Sequence, residues 1–267
     1  MVKLLAISAC ILSFLVNSGF TVAQLVVNVK DSGGDVFKEA IHANTTQDTV
    51  ILKFEKWDGT QLTQFIDFKN EVQIFRSLIL GEMERGQHGY QVMCFVTRLM
   101  KSDFISSDAM SKLRQKNPGA IRTPEEDKGQ EEHSKDLLVD LSRSHVISPH
   151  ILDLCHQARH TTYMKQADLD YLSKSLGRDL HMLSSATSQL PAVTGLAACG
   201  DSTTLQTPCV CRYDVCVLWY PCGLKYCKGK DTTGKTVNYR CGIKTCSKCR
   251  RFQYYVKHKL LCLWEDH

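Results

Sequence analysis

Leu25, Val27 and Val29 recur at every second position, and Val50, Leu52 and Phe54 do the same between Thr49 and Lys56. A period of two marks strands with one buried face. Asp31-Ser32-Gly33-Gly34-Asp35 is a turn cluster, and Trp57-Asp58-Gly59-Thr60 reads as a hairpin turn because Asp-Gly tolerates positive φ. The chain returns through Leu62 to Phe68. An apolar run from Val72 to Leu80, a loop from Gly81 to Gly89 and a run from Gln91 to Met100 complete a β region. The last run carries Cys94 and reads as a central strand.

The period then lengthens. Ser106 or Ser107 caps a helix through Met110, Leu113 and Arg114, which Pro118 stops. Residues 118–136 are polar and acid-rich, with Glu125, Glu126, Asp127, Glu131 and Glu132. Such a stretch buries too little apolar surface to order itself and is expected to be a flexible loop. Lys135 to Leu141 reads as a short strand. Ser148-Pro149 opens a helix whose apolar positions are Ile151, Leu152 and Cys155. Leu169, Leu172, Leu176, Leu180 and Leu183 recur at helical spacing, predicting a helix over 166–185, and 186–198 reads as a linker.

The first residues, Met1-Val2-Lys3, precede an apolar run from Leu4 to Val16 and the small-residue end Thr21-Val22-Ala23. This pattern predicts a signal peptide over 1–23, with Gln24 as the mature start. A membrane anchor is the alternative, but the run is short for a bilayer. Cys10 leaves with the signal. About 244 residues remain, enough for one large domain or two small ones.

Ten of the 13 cysteines lie between Cys199 and Cys262. At this density they persist as disulfides in an oxidising compartment, so the expected localisation is secreted and extracellular. Charge divides the chain at the same place. Residues 24–198 carry 20 Lys+Arg against 23 Asp+Glu, and residues 199–267 carry 12 against 5. A near-neutral domain over 24–185 followed by a basic, cysteine-rich domain over 199–267 is therefore expected. Asn44-Thr45-Thr46 is a glycosylation sequon, which puts Asn44 on a surface loop.

The cysteine-rich segment contains an internal repeat. Tyr220-Pro221-Cys222-Gly223-Leu224-Lys225-Tyr226-Cys227 is matched by Tyr239-Arg240-Cys241-Gly242-Ile243-Lys244-Thr245-Cys246. Two similar turns or strand pairs braced by disulfides are expected, because a domain this small lacks area for a large core. Pairing among Cys199, Cys209, Cys211, Cys216, Cys222, Cys227, Cys241, Cys246, Cys249 and Cys262 is open. Cys209 and Cys211 sit too close to bridge each other. Zinc held by thiolates is the alternative to disulfides, and no cofactor is expected.

Several strings resemble the secreted Out at first family: Asp67-Phe68-Lys69-Asn70-Glu71-Val72, Phe75 to Glu82, Cys94-Phe95-Val96-Thr97, Ala109 to Pro118, Trp219-Tyr220-Pro221-Cys222, Leu224-Lys225-Tyr226-Cys227 and Cys262-Leu263-Trp264. The resemblance covers nearly all of the mature chain. Cys216 and Cys249 look like additions to the family's usual cysteines, which suggests that they pair. The first part also resembles, more distantly, a BRICHOS domain, a twisted antiparallel sheet with two flanking helices. That likeness implies a Cys94–Cys155 disulfide; these are the only two mature cysteines ahead of the cysteine-rich segment. It also makes Asp67, on the same strand face as Phe65, a candidate pH-sensitive carboxylate.

The resulting fold class is α+β, a BRICHOS-like sheet with flanking helices followed by a small, disulfide-rich, mainly β domain. Lys244, Lys248, Arg250, Arg251, Lys257 and Lys259 form a basic cluster. An amphipathic strand with Phe252 and Tyr254 buried is the preferred reading of it, and binding of sulfated glycans the alternative. His145, His150, His156 and His160 cluster near one helix and are read as solvating rather than metal-binding. No His-Glu-x-x-His, Gly-x-Ser-x-Gly or phosphate-cradling loop occurs, so binding rather than catalysis is expected. The expected partners are extracellular polypeptides, reached by strand addition to the sheet in a chaperone-like mode or through a receptor-binding cysteine-rich domain. Nucleic acid and stable membrane insertion are not expected.

Overall fold

The computed structural model describes residues 23–31 and 33–265. The expected signal peptide, apart from Ala23, lies outside the described residues. The chain forms β1 Ala23–Lys30, β2 Val36–Asn44, β3 Thr49–Glu55, β4 Gln61–Asp67, β5 Val72–Leu80 and β6 Tyr90–Arg98. These six pair in sequence order as an antiparallel meander. The Lys56–Thr60 turn joins β3 to β4, with Gly59 at φ 80°. A Cβ there would stand 2.8 Å from the end of the exposed Leu80 side chain, which can swing aside, so it is the backbone conformation that requires glycine.

Next come α1 Ser107–Ser111, β7 Ile121–Arg122, β8 Glu126–Ser134, β9 Leu137–Val139, α2 His150–Cys155 and β10 Thr162–Met164. They are followed by α3 Gln166–Leu176, α4 Leu180–Ser184, β11 Thr187–Gln189, β12 Cys209–Lys230 and β13 Thr236–Val256. One sheet has ten strands in the order β11-β9-β10-β6-β5-β4-β3-β2-β1-β7. The other has three, β12-β13-β8.

The ten-stranded sheet separates two hydrophobic clusters. One face carries Phe65, Val72, Ile74, Cys94 and Val96, packed against Ile151, Cys155, Leu169, Leu172 and Leu183 of the helices. The opposite face carries Leu25, Val27, Ile41, Leu52, Phe75 and Phe95, packed against Tyr213, Val215, Trp219, Phe252 and Tyr254 of the long hairpin. Phe95 and Phe252 stack with centroids 4.2 Å apart and rings inclined by 3°. The order is helices, sheet, hairpin.

Four sequence expectations need correction. The stretch 118–136 is not a loop: it holds β7 and β8, and β8 pairs in parallel with β13 from Glu126↔Cys246 to Gln253↔Ser134. Its few apolar side chains do not matter, because its backbone and its charges are satisfied by a strand made far later in the chain. The expected helix 166–185 is two, since Gly177, at φ 62°, ends α3 and its N–H bonds Ser173 O. Asp179 then caps α4 by accepting from His181 N. The expected linker 186–198 includes β11, which pairs with β9. The cysteine-rich part also does not lack a core, for it shares one with the meander.

Candidate functional site

The described cysteines form six disulfides. Cys94 bonds Cys155, tying β6 to α2 across 61 residues. Cys199 bonds Cys209, and Cys211 bonds Cys262. Cys216 bonds Cys249 directly across the hairpin. The repeat accounts for the last two. Cys222 bonds Cys246 and Cys227 bonds Cys241, so the first cysteine of each copy meets the second of the other. Leu224 stands opposite Ile243, the same repeat position, while Gly223 faces Lys244 and Lys225 faces Gly242. The repeat is thus an approximate two-fold axis through the hairpin. Cys199, Cys211, Cys262 and Glu265 converge, as do Glu126, Cys222 and Cys246, but zinc needs thiolates and each of these sulfurs is held in a disulfide.

The basic cluster is not an open cationic patch. Lys244 Nζ lies 2.6 Å from Glu126 and Lys248 Nζ 2.7 Å from Glu131. Arg251 clamps Asp214 with two bonds of 2.8 and 2.9 Å. Arg250 is buried over the Phe75 ring and 3.9 Å from Asp103. Lys259 is buried and donates to Ser202 O, whereas Lys257 is exposed. The acid-rich strand β8 therefore supplies the counterions of Lys244 and Lys248 in β13. Phe252 and Tyr254 are buried, and Tyr255 between them is half-buried.

Asp67 is buried on the helix-facing side with Phe65. It accepts from Asn70 N, Asn70 Nδ2 and Ser148 Oγ at 3.0, 2.7 and 2.7 Å. It thereby fixes both the turn after β4 and the approach to α2. Asp67→Ala is expected to lower stability by about 2 kcal/mol, since it strands buried donors. Guanidinium denaturation with disulfides intact checks this, and an unchanged midpoint would show that the network contributes nothing.

Asn44 closes β2, its Oδ1 accepting from Thr46 N and Gln47 N in the exposed turn. His150 packs on Phe65 at 4.8 Å, and His156 Nδ1 lies 3.0 Å from Asp153 O. Among the described residues the four clustered histidines join no group of three ligand atoms.

Sequence reading missed Glu39. In β12, Leu218 and Trp219 stand opposite the single Ser247, a bulge that leaves backbone donors without a cross-strand acceptor. Glu39 of β2 supplies one, taking Leu218 N at 3.1 Å. Burial raises its pKa to about 8, against the lowering effect of the Leu218 and Trp219 amides. The available signal was period two: Glu39 shares a face with Ile41 and Ala43. Lys135 was missed as well. It is fully buried, donates to Val96 O and lies 3.7 Å from Asp168; burial pulls its pKa down to about 8.

A further feature is the β1 edge. β7 pairs with β1 at Asn28 and Val29. At Val26 the partner is a side chain: Val26 N donates to Gln115 Oε1 at 3.3 Å, and Gln115 Nε2 donates to Val26 O. Beside it opens a cavity of about 520 Å³, with Leu25, Val27, Trp219 and Ile243 as apolar lining and Arg114, Arg122 and Arg240 among its cations.

Comparison with known proteins gives a consistent picture. No solved structure matches the chain. A relative named Out at first protein, from Drosophila virilis, is 48% identical over 263 residues, covering 95% of this chain and 86% of its own length. Another of that name, from Drosophila melanogaster, is 48% identical over 257 residues, covering 92% of this chain but only 53% of its own length. Two family models match, Out at first over residues 23–172 and Out at first, C-terminal over 198–266. The chain belongs to the Out at first family.

Proposed function

We propose that this chain is a secreted, non-enzymatic extracellular factor with a developmental role that binds other polypeptides. The observation that carries the reading is the set of six disulfides, which consumes every described cysteine and supports passage through an oxidising compartment. Among the described residues no helix is long and apolar enough to cross a membrane. A glycan on Asn44 fits the same route. The BRICHOS likeness suggests the mode of binding, namely addition of an extended segment to a sheet edge in a chaperone-like role. Because hairpin and meander share a core, the test uses the whole protein. Added to a fibril-forming peptide, it is expected to lengthen the lag phase at substoichiometric ratio. An unaltered time course would remove the chaperone reading.

A second reading, a ligand or co-factor held by a receptor or matrix glycan, is favoured by the far end of the hairpin. There Lys228, Lys230 and Lys235 are exposed beside Tyr226 and Tyr239, which are 65% and 52% exposed. A triple Lys228→Glu, Lys230→Glu, Lys235→Glu variant is expected to leave heparin at clearly lower salt than the native protein. Equal elution would dismiss the glycan.

A further inference from the structure

We infer that the β1 edge at Val26, with its adjoining cavity, is a docking site for an extended peptide bearing acidic side chains, and that Gln115 is its displaceable plug. The inference rests on the polypeptide-binding reading above and gives it a place and a ligand class.

Gln115 satisfies one N–H and one C=O of Val26, the two bonds that a neighbouring strand would make at that position. A side-chain amide is a one-residue imitation of a strand. An incoming chain makes the same two bonds and continues along the edge on the side away from β7, so exchange of one for the other leaves no backbone group of Val26 unmet. Gln115 lies in the irregular segment between α1 and β7, so its displacement breaks no strand ladder.

The cavity states what else the peptide carries. Leu25 and Val27 turn their side chains toward the hairpin, where Trp219 and Ile243 complete an apolar floor. Every second residue of an added strand points into this space. Its rim is cationic. Among the described residues, Arg114, Arg122 and Arg240 bond backbone carbonyls (of Ser111 and Leu113, Asn117, and Ala109) and have no carboxylate partner. Lys112 also lines the space and is paired with Asp108. Glu125 is the single acid in the lining, and Lys225 holds it at 2.6 Å. An apolar floor under three guanidiniums selects a segment with an apolar side chain flanked by carboxylates, for which guanidinium is a bidentate partner.

The probe is a fluorescein-labelled heptapeptide, Glu-Thr-Val-Thr-Val-Thr-Glu, and a counterpart with lysine for both glutamates. Anisotropy against the full-length protein is expected to show binding of the first at least about tenfold tighter than the second. Gln115→Ala, which removes the competitor, is expected to tighten binding severalfold. Val26→Pro removes the edge donor without removing a bond to β2, because Val26 N faces Gln115, and is expected to abolish binding. Should that variant melt well below the native protein, the exposed Arg114→Glu decides instead, with an expected loss of about tenfold. Equal binding of both peptides, no binding to Gln115→Ala, or full binding to Arg114→Glu would each overturn the site. If the native protein delays fibrils and Val26→Pro does so equally, polypeptide binding stands and this edge is the wrong place. If the native protein neither delays fibrils nor binds the peptide, both fail.

Discussion

Relative to the variant with glutamine at position 39, the native protein is expected to lose on the order of 5 kcal/mol of stability between pH 4.5 and about 8. The Glu39 carboxyl is buried between β2 and the bulge of β12, and burial lifts its pKa from 4.5 to about 8. The folded protein therefore keeps a proton that the unfolded chain has already released. Stability from this group is complete below pH 4.5 and is lost as pH rises through 8. Glutamine still offers a carbonyl to Leu218 N but cannot ionise. His133 acts in the opposite sense: burial lowers its pKa to about 4, so its contribution grows as pH rises from 4 to 6.5. Lys135 acts only above about pH 8. Both are common to the two proteins, so the difference between native and Glu39→Gln curves isolates Glu39. Urea unfolding at intervals across the window measures it, and parallel curves would sink the prediction.

Removal of the Cys94–Cys155 link is the second large effect. Both sulfurs are fully buried, and the bridge closes 61 residues that contain β8, β9 and α2. Loop-closure entropy puts its contribution at about 4 kcal/mol. A paired Cys94→Ala, Cys155→Ala variant, chosen to leave no stray thiol, is expected to melt roughly 10 °C lower at fixed pH. A fall of only a degree or two would mean that helices and sheet hold without the staple.

The meander was legible because each strand has one face against an apolar layer, so period two survives in the residues themselves. The hairpin turn at Gly59 belongs to that legible part, whereas the Cys94–Cys155 link and the attention to Asp67 followed from the resemblance to a BRICHOS domain. What could not be read was decided by partners distant in sequence. Residues 126–134 have the composition of a solvated loop, and only the cations of β13 make a strand of them. The basic cluster looked open for the same reason, since the carboxylates that pair with Lys244 and Lys248 lie in β8 and the one that pairs with Arg251 lies in β12. Glu39 is buried because a bulge in a remote strand offers it amide donors. The repeat was visible in the sequence, but its crosswise pairing follows from antiparallel register and not from spacing.

The parallel union of β8 with β13 also sets an order of events during synthesis. Glu126 is made long before Cys246, its partner in register. On the export route proposed above, a nascent chain carries its acidic strand and the aromatic face of its sheet uncovered until nearly the whole hairpin has followed. Chains halted within that interval present Phe75 and Phe95 to whatever quality-control machinery surveys the lumen. Release is thereby tied to completion of the final strand, and premature stop codons upstream of Phe252 are expected to cause retention inside the cell rather than export of a shortened factor.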